Sequence, residues 1–264
     1  MAVETYADQL EPTNPDVVIW RFIGMDKFRD LITTSQLYFR RADKFDGDEH
    51  EGLPPEQYLC SVLGLNPLLL RDRPRLDHAL GTLAQFREGF YISCWQLFRS
   101  ETDKMWKDYG EDGVAISSRY SLLKSALHAM GDQAFLGLVR YGAKHLYSYN
   151  ELSFITTKRA EYKDEEEVRA MLWIRDPHAG INRHFDAENR PHRRPETPPP
   201  DHVSLGHKRK VDLQTLITEI VVTPWASPAT FDQVNRLVND NGYNIPVRPS
   251  GLARYRDLLP STVS

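Results

Sequence analysis

Cysteine is almost absent. Cys60 and Cys94 are the only two in 264 residues, too few for a disulfide framework or a cysteine-built zinc site. No apolar run approaches the roughly 18 residues that a membrane-spanning helix requires. The opening MAVETYADQLEP lacks a basic region followed by an apolar core, so it is not expected to act as a secretory signal. A soluble, cytoplasmic protein with no membrane partner is the expectation. Excess charge is missing too: at a net −4, no basic field exists to hold duplex DNA by its phosphates. Also absent are G-x-G-x-x-G, the P-loop, G-x-S-x-G and H-E-x-x-H, so the common nucleotide-binding, esterase and metalloprotease classes gain no support.

What is present is an ordinary globular composition, 41% hydrophobic and 27% charged, in a chain long enough to bury a real core. One segment stands out. Residues 17–23 read VVIWRFI, which alternation splits into Val17, Ile19, Arg21 and Ile23 on one face and Val18, Trp20 and Phe22 on the other. Both faces are apolar, so the strand is expected to be covered on both sides. An arginine placed there keeps its proton and needs an anion beside it, either a carboxylate of the protein or a phosphate of a ligand.

Downstream, Met25, Phe28, Leu31 and Ile32 recur at helical spacing, and a second strand is predicted from Leu37 to Arg41. Residues 56–87 read as mostly helical with proline breaks, and 90–95 (FYISCW) as a strand. Ser100 is the expected cap of a short helix carrying Met105, Trp106 and Tyr109. Strands are predicted at 113–118, 134–141, 167–174 and 219–224, with helices at 119–129 and 212–218 and another opened by Ser227-Pro228. Without a regular strand–helix–strand rhythm, the predicted class is α+β with mixed or antiparallel sheets and helices. The predicted organisation is a flexible segment at 1–16, one domain over 17–255 and a tail at 256–264. Within the domain, the proline-, histidine- and arginine-rich stretch 176–206 is expected to be an exposed or disordered insertion.

Several constellations carry chemical potential, each with a plain structural alternative. Residues 167–174 put Val168, Ala170, Leu172 and Ile174 on one face and Glu167, Arg169, Met171 and Trp173 on the other, with Glu165 just ahead in phase. Paired carboxylates could steady a positive charge developing at a sugar carbon and orient a nucleophile. They could equally be neutralised by Arg169. In FYISCW, Tyr91, Ser93 and Trp95 share a face that suits either a flat-ring pocket or two aromatics over a core. Met105, Trp106 and Tyr109 read as core packing. The acidic loop with Asp43, Asp46, Asp48, Glu49 and Glu51 lacks EF-hand spacing and reads as solvated. Five histidines (His178, His184, His192, His202 and His207) crowd the insertion without metal-ligand spacing.

WRF at 20–22, QLYFRRADKFDGDEHEG at 36–52, ISCW at 92–95, MWKDYG at 105–110, GVAIS at 113–117 and EEEVR at 165–169 resemble, in order, the bacterial family termed domain of unknown function 2971. That resemblance brings no reaction with it. A looser one does: strand with Arg, helix, strand, then a Ser-bearing strand and an E-x-E before another strand is similar to ADP-ribosyltransferases of the Arg-Ser-Glu type. The resemblance implies a split-sheet core with NAD as substrate and no metal. Arg21 would bind the phosphates or ribose, and Ser93 would shape the nicotinamide site with Tyr91 or Trp95 as stacking partner. Glu167 would be the catalytic glutamate and Glu165 would orient the acceptor, which could be protein, nucleic acid or water. A toxin or phage-defence effector is the role it suggests. The sequence departs from the pattern in having Ile92-Ser93-Cys94 where a Ser-Thr-Ser run is usual.

Two other readings stand beside it. Glu161-Tyr162-Lys163 has the E-x-K form of metal-dependent nucleases. In the third reading the chain is a non-catalytic sensor or partner-binding domain, with Arg21 paired internally to Glu165 or Glu167.

Overall fold

The structure, a computed structural model, describes residues 10–45, 52–142, 151–174 and 205–252. Its strands are β1 (Val18–Gly24), β2 (Gln36–Arg41), β3 (Phe90–Gln96), β4 (Gly113–Arg119), β5 (Ala134–Leu138), β6 (Arg140–Tyr141), β7 (Thr157–Lys158), β8 (Glu167–Trp173), β9 (Gly206–Lys210), β10 (Glu219–Val222) and β11 (Val247–Pro249). The helices are α1 (Met25–Thr34), α2 (Glu56–Leu63), α3 (Arg73–Arg87), α4 (Asp103–Tyr109), α5 (Tyr120–Met130), α6 (Glu151–Ile155), α7 (Leu213–Leu216) and α8 (Pro228–Asp240).

Nine strands form one mixed sheet in the order β11-β10-β4-β1-β3-β2-β9, with β8 on β3 and β5 on β8. β6 and β7 make a small parallel pair apart from it. The α+β class therefore holds.

The sheet is split beside β3. Along one edge β3 pairs with the whole of β8, from Phe90↔Trp173 to Gln96↔Glu167. Its other edge is divided: β2 takes one end (Arg40↔Ile92, Arg41↔Tyr91) and β1 the other (Trp20↔Gln96). Because α1 leads directly from β1 into β2, the two strands diverge and leave Ser93–Trp95 without a strand on that edge.

Both sheet faces are covered, as the alternation in β1 predicts. Ile19 and Ile23 enter the largest core with Phe28, Leu31 and Ile32 of α1, Leu123 and Leu127 of α5, and Val234 and Val238 of α8. On the reverse face Trp20 and Phe22 pack with Met105 and Trp106 of α4. Further along that face, Phe90, Ile92 and Met171 pack with Leu152 and Ile155 of α6.

The β1–β4 contact depends on Gly113. A Cβ there would stand 1.9 Å from the Ile23 carbonyl oxygen and 2.7 Å from Gly24 Cα, both backbone atoms. Gly113→Ala must push β4 off β1 and is expected to destabilise the fold by about 3 kcal/mol, measurable by urea unfolding.

Some expectations are corrected. The short helix is capped by Thr102, whose hydroxyl accepts from Met105 N–H, and not by Ser100. Glu101 turns away to bind Trp106, Arg248, Ser250 and Gly251. In the described part of the N-terminal segment, Leu10 is buried, Ser121 N–H donates to the Pro15 carbonyl, and Ser121 Oγ donates to Asp16 at 2.7 Å. Gly206–Lys210 pairs with β2 as an edge strand that the sequence reading did not include, and residues 176–204 of the expected insertion lie outside the described residues. The helix expected over 212–218 is a single turn, Leu213–Leu216. Asp46, Asp48, Glu49 and Glu51 lie outside the described residues, as do His178, His184, His192 and His202 and the predicted tail.

Candidate functional site

Arg21 reaches from β1 into the split. Its guanidinium donates to Ser93 Oγ at 2.9 Å and to the Tyr38 carbonyl at 3.3 Å, tying together β1, β3 and β2. Ser93 Oγ also accepts from Trp95 Nε1 at 3.2 Å, and the guanidinium lies 5.9 Å from the centre of the Trp95 ring. No carboxylate pairs with Arg21 among the described residues. Arg21 is partly buried, and desolvation of its guanidinium lowers its pKa to about 10. The pairing of Arg21 with Glu165 or Glu167 that the non-catalytic reading expected is therefore corrected: those glutamates are held by Lys158 and Arg169.

Glu167 sits elsewhere. Residues paired across an antiparallel ladder point to the same face. Ser93 pairs with Ala170 and shares the Arg21 face, whereas Glu167 pairs with Gln96, which pairs with Trp20 on the reverse face. Arg21 and Ser93 thus come together, and Glu167 opens onto the other side of the sheet. Cys94, one residue on from Ser93, lies on the Glu167 face, opposite Arg169 in the ladder, and its thiol helps to lower the Glu167 carboxyl.

On its own face Glu167 is clamped. Arg169 Nε donates to Oε1 at 2.8 Å and Nη2 to Oε2 at 3.1 Å, a two-pronged pair with both residues buried. Lys158 Nζ lies 3.3 Å from Oε2 of Glu167 and 2.6 Å from Oε2 of Glu165, so one ammonium joins the two carboxylates. Glu165 closes a 3-10 turn, Ala160–Glu165, and Glu166 takes a left-handed φ of 40° before β8 begins. That turn places Glu165 ahead of the strand yet beside Glu167.

Tyr109 is not core. It is 45% exposed and its hydroxyl donates to Glu165 Oε1 at 3.2 Å. Tyr141, unmarked in the sequence, accepts the Glu167 N–H at 2.8 Å. Gln96 is 7% exposed, and its carboxamide oxygen is buried without a partner among the described residues. Lys158, Tyr141 and Gln96 belong to no motif, so only tertiary structure could bring them here. Tyr91 and Trp95, the candidate stacking rings, are 2% and 1% exposed. Tyr91 packs edge-on against His207 at 4.3 Å, so neither ring offers a free face to a ligand.

Burial by itself would raise the Glu167 carboxyl, but Arg169 and Lys158 reverse this and hold it at about 2. A depressed carboxyl stabilises the fold above its unfolded pKa of about 4.3 and loses that contribution as pH falls towards the folded value. Glu167→Gln should therefore lower the Tm most at neutral pH. The gap to wild type should narrow between about pH 4.3 and pH 2 in a thermal-melt series.

Glu161 and Lys163 of the E-x-K sequence are exposed, and Glu161 pairs with Arg159 at 3.1 Å. Among the described residues, no three His, Cys, Asp or Glu side chains gather into a group that could hold a metal ion. Comparison with protein-family models, curated proteins and solved structures finds no match to this chain.

Proposed function

We propose that the chain binds a pyrophosphate-bearing nucleotide, with NAD the leading candidate, through Arg21 at the sheet split, in the manner of an ADP-ribosyltransferase-like enzyme. The observation that carries this reading is a partly buried guanidinium that has no carboxylate partner among the described residues, held by Ser93 and the Tyr38 carbonyl. A cation taken out of water without an anion is unfavourable, and a phosphate bound there would remove the penalty. The guanidinium fork also matches phosphate oxygens in shape. In the transfer, the bond between nicotinamide nitrogen and the ribose carbon breaks, nicotinamide leaves with the electron pair, and an acceptor bonds the carbon as it gives up a proton. Glu165 and Glu167, the carboxylates this transfer would use, lie on the other face of the sheet and are held there by Lys158 and Arg169.

A second reading, nucleotide binding without turnover, is favoured by one specific observation. Glu167 faces away from Ser93 and is neutralised by Arg169 and Lys158. An incubation with NAD separates the two. Nicotinamide release by the wild type, lost in Glu167→Gln protein that remains folded, supports the transferase. An NAD-dependent rise in Tm without release supports the binding module. Neither release nor a Tm rise would remove both.

A further inference from the structure

On the reverse face of the sheet, away from the Arg21 side chain, a groove of about 320 Å³ runs over Val18, Trp20 and Ser117 and is walled by residues 99–101. Three arginines border it: Arg99 from the loop after β3, Arg119 from the end of β4 and Arg248 from β11. Two carboxylates border it as well, Glu101 and Glu219, but both are engaged. Arg248 grips Glu219 through Nε at 2.9 Å and Nη2 at 3.2 Å. Glu101 accepts from Trp106 Nε1, Arg248 Nη1, Gly251 N and Ser250 Oγ. Burial would raise the Glu101 carboxyl, and these donors instead hold it below the usual carboxylate range.

The other two arginines have no such partner. Arg99 and Arg119 form no ion pair among the described residues, and Arg119 makes one neutral hydrogen bond, to the Asp16 carbonyl at 3.1 Å. The Asp16 carboxylate accepts from Ser121 and does not reach ion-pair distance of Arg119. Hydroxyls of Ser100 and Thr218 complete the rim.

We infer that this groove is a binding site for a small phosphate-bearing ligand, held between the guanidinium groups of Arg99 and Arg119. Guanidinium forks favour phosphate over a point anion. The volume lies at the lower end of small-molecule sites, about 300–1,000 Å³, which suits a phosphorylated metabolite or a single nucleotide and not a nucleic-acid chain. The net charge of −4 also opposes a polyanion. The inference is independent of the Arg21 reading, since it uses other residues on the other face.

The test is calorimetric titration of full-length protein with AMP and with inorganic phosphate. Wild type, Arg99→Ala/Arg119→Ala and Glu219→Gln are compared, each checked for folding by its melt. Binding at least about tenfold weaker in the double variant, a difference of about 1.4 kcal/mol, supports the inference. Tighter binding in Glu219→Gln, which removes one of the two carboxylates that hold Arg248, supports it further. Equal affinity in wild type and the double variant overturns it and assigns the bound phosphate to another site, such as Arg21. So does wild-type binding no tighter than about 1 mM.

Discussion

Arg169→Met is expected to destabilise the protein by about 3–5 kcal/mol, because it removes one half of a buried ion pair and leaves the other half charged. Among the described residues Glu167 would keep the Lys158 ammonium at 3.3 Å as its one cationic partner, and the Ile155 carbonyl would lose the Arg169 Nη1 donor. Two further readouts separate this cause from simple loss of packing. With its guanidinium partner gone, the Glu167 carboxyl rises under burial, so the variant should gain stability relative to wild type as the solution is acidified. Adding Glu167→Leu should restore part of the loss, since an apolar pair of similar volume replaces two charges without leaving either alone. Urea unfolding of the four proteins in that cycle measures the coupling. Additive losses would mean that Arg169 acts by filling space.

Arg21→Met is expected to behave in the opposite way. Among the described residues Arg21 has two neutral acceptors, Ser93 Oγ and the Tyr38 carbonyl, and no anion, and desolvation has already pulled its pKa down to about 10. Methionine is similar in reach and carries no charge, so the swap removes a desolvation penalty while losing two hydrogen bonds worth about 1 kcal/mol each. The variant should melt within a few degrees of wild type, or higher. Under the proposed function it should also lose its response to NAD. A residue whose removal leaves stability intact while abolishing binding marks a site kept for function. Arg21→Lys is the conservative control: it keeps the charge but not the fork, and should recover only part of the NAD response.

Much of this was legible in the strand alternation. The two faces of β1, β3 and β8 were separable from their sequences, and the cores sort as those faces require: Ile19 and Ile23 against Trp20 and Phe22, Tyr91 against Ile92, Ala170 against Met171. What alternation cannot supply is register. Ser93 pairs with Ala170, and a slip of one residue would have put it opposite Arg169 and on the Glu167 face. The Arg-Ser-Glu convergence depended on that one residue. The glutamate run was ambiguous for a related reason, since three identical side chains hide the left-handed turn at Glu166 that separates Glu165 from the strand. β9 escaped notice because GHKRK has no apolar alternation. It is an edge strand held by its ladder to β2 and by Lys208 on Asp30 and Arg209 on Asp132. Tyr109 read as core because Met105 and Trp106 in the same helix are core, but its position leaves the ring half in solvent with its hydroxyl on Glu165.

The most direct test is a thermal melt of wild type and Arg21→Met, each with and without saturating NAD. Ligand at about 100 times its Kd adds about 2.7 kcal/mol to the stability of a protein that binds it. The prediction is a clear NAD-dependent rise in the wild-type Tm and none in Arg21→Met, with the two proteins melting alike in the absence of NAD. An equal rise in both, or an Arg21→Met variant that unfolds many degrees lower without ligand, would contradict it and return Arg21 to the role of a structural core residue.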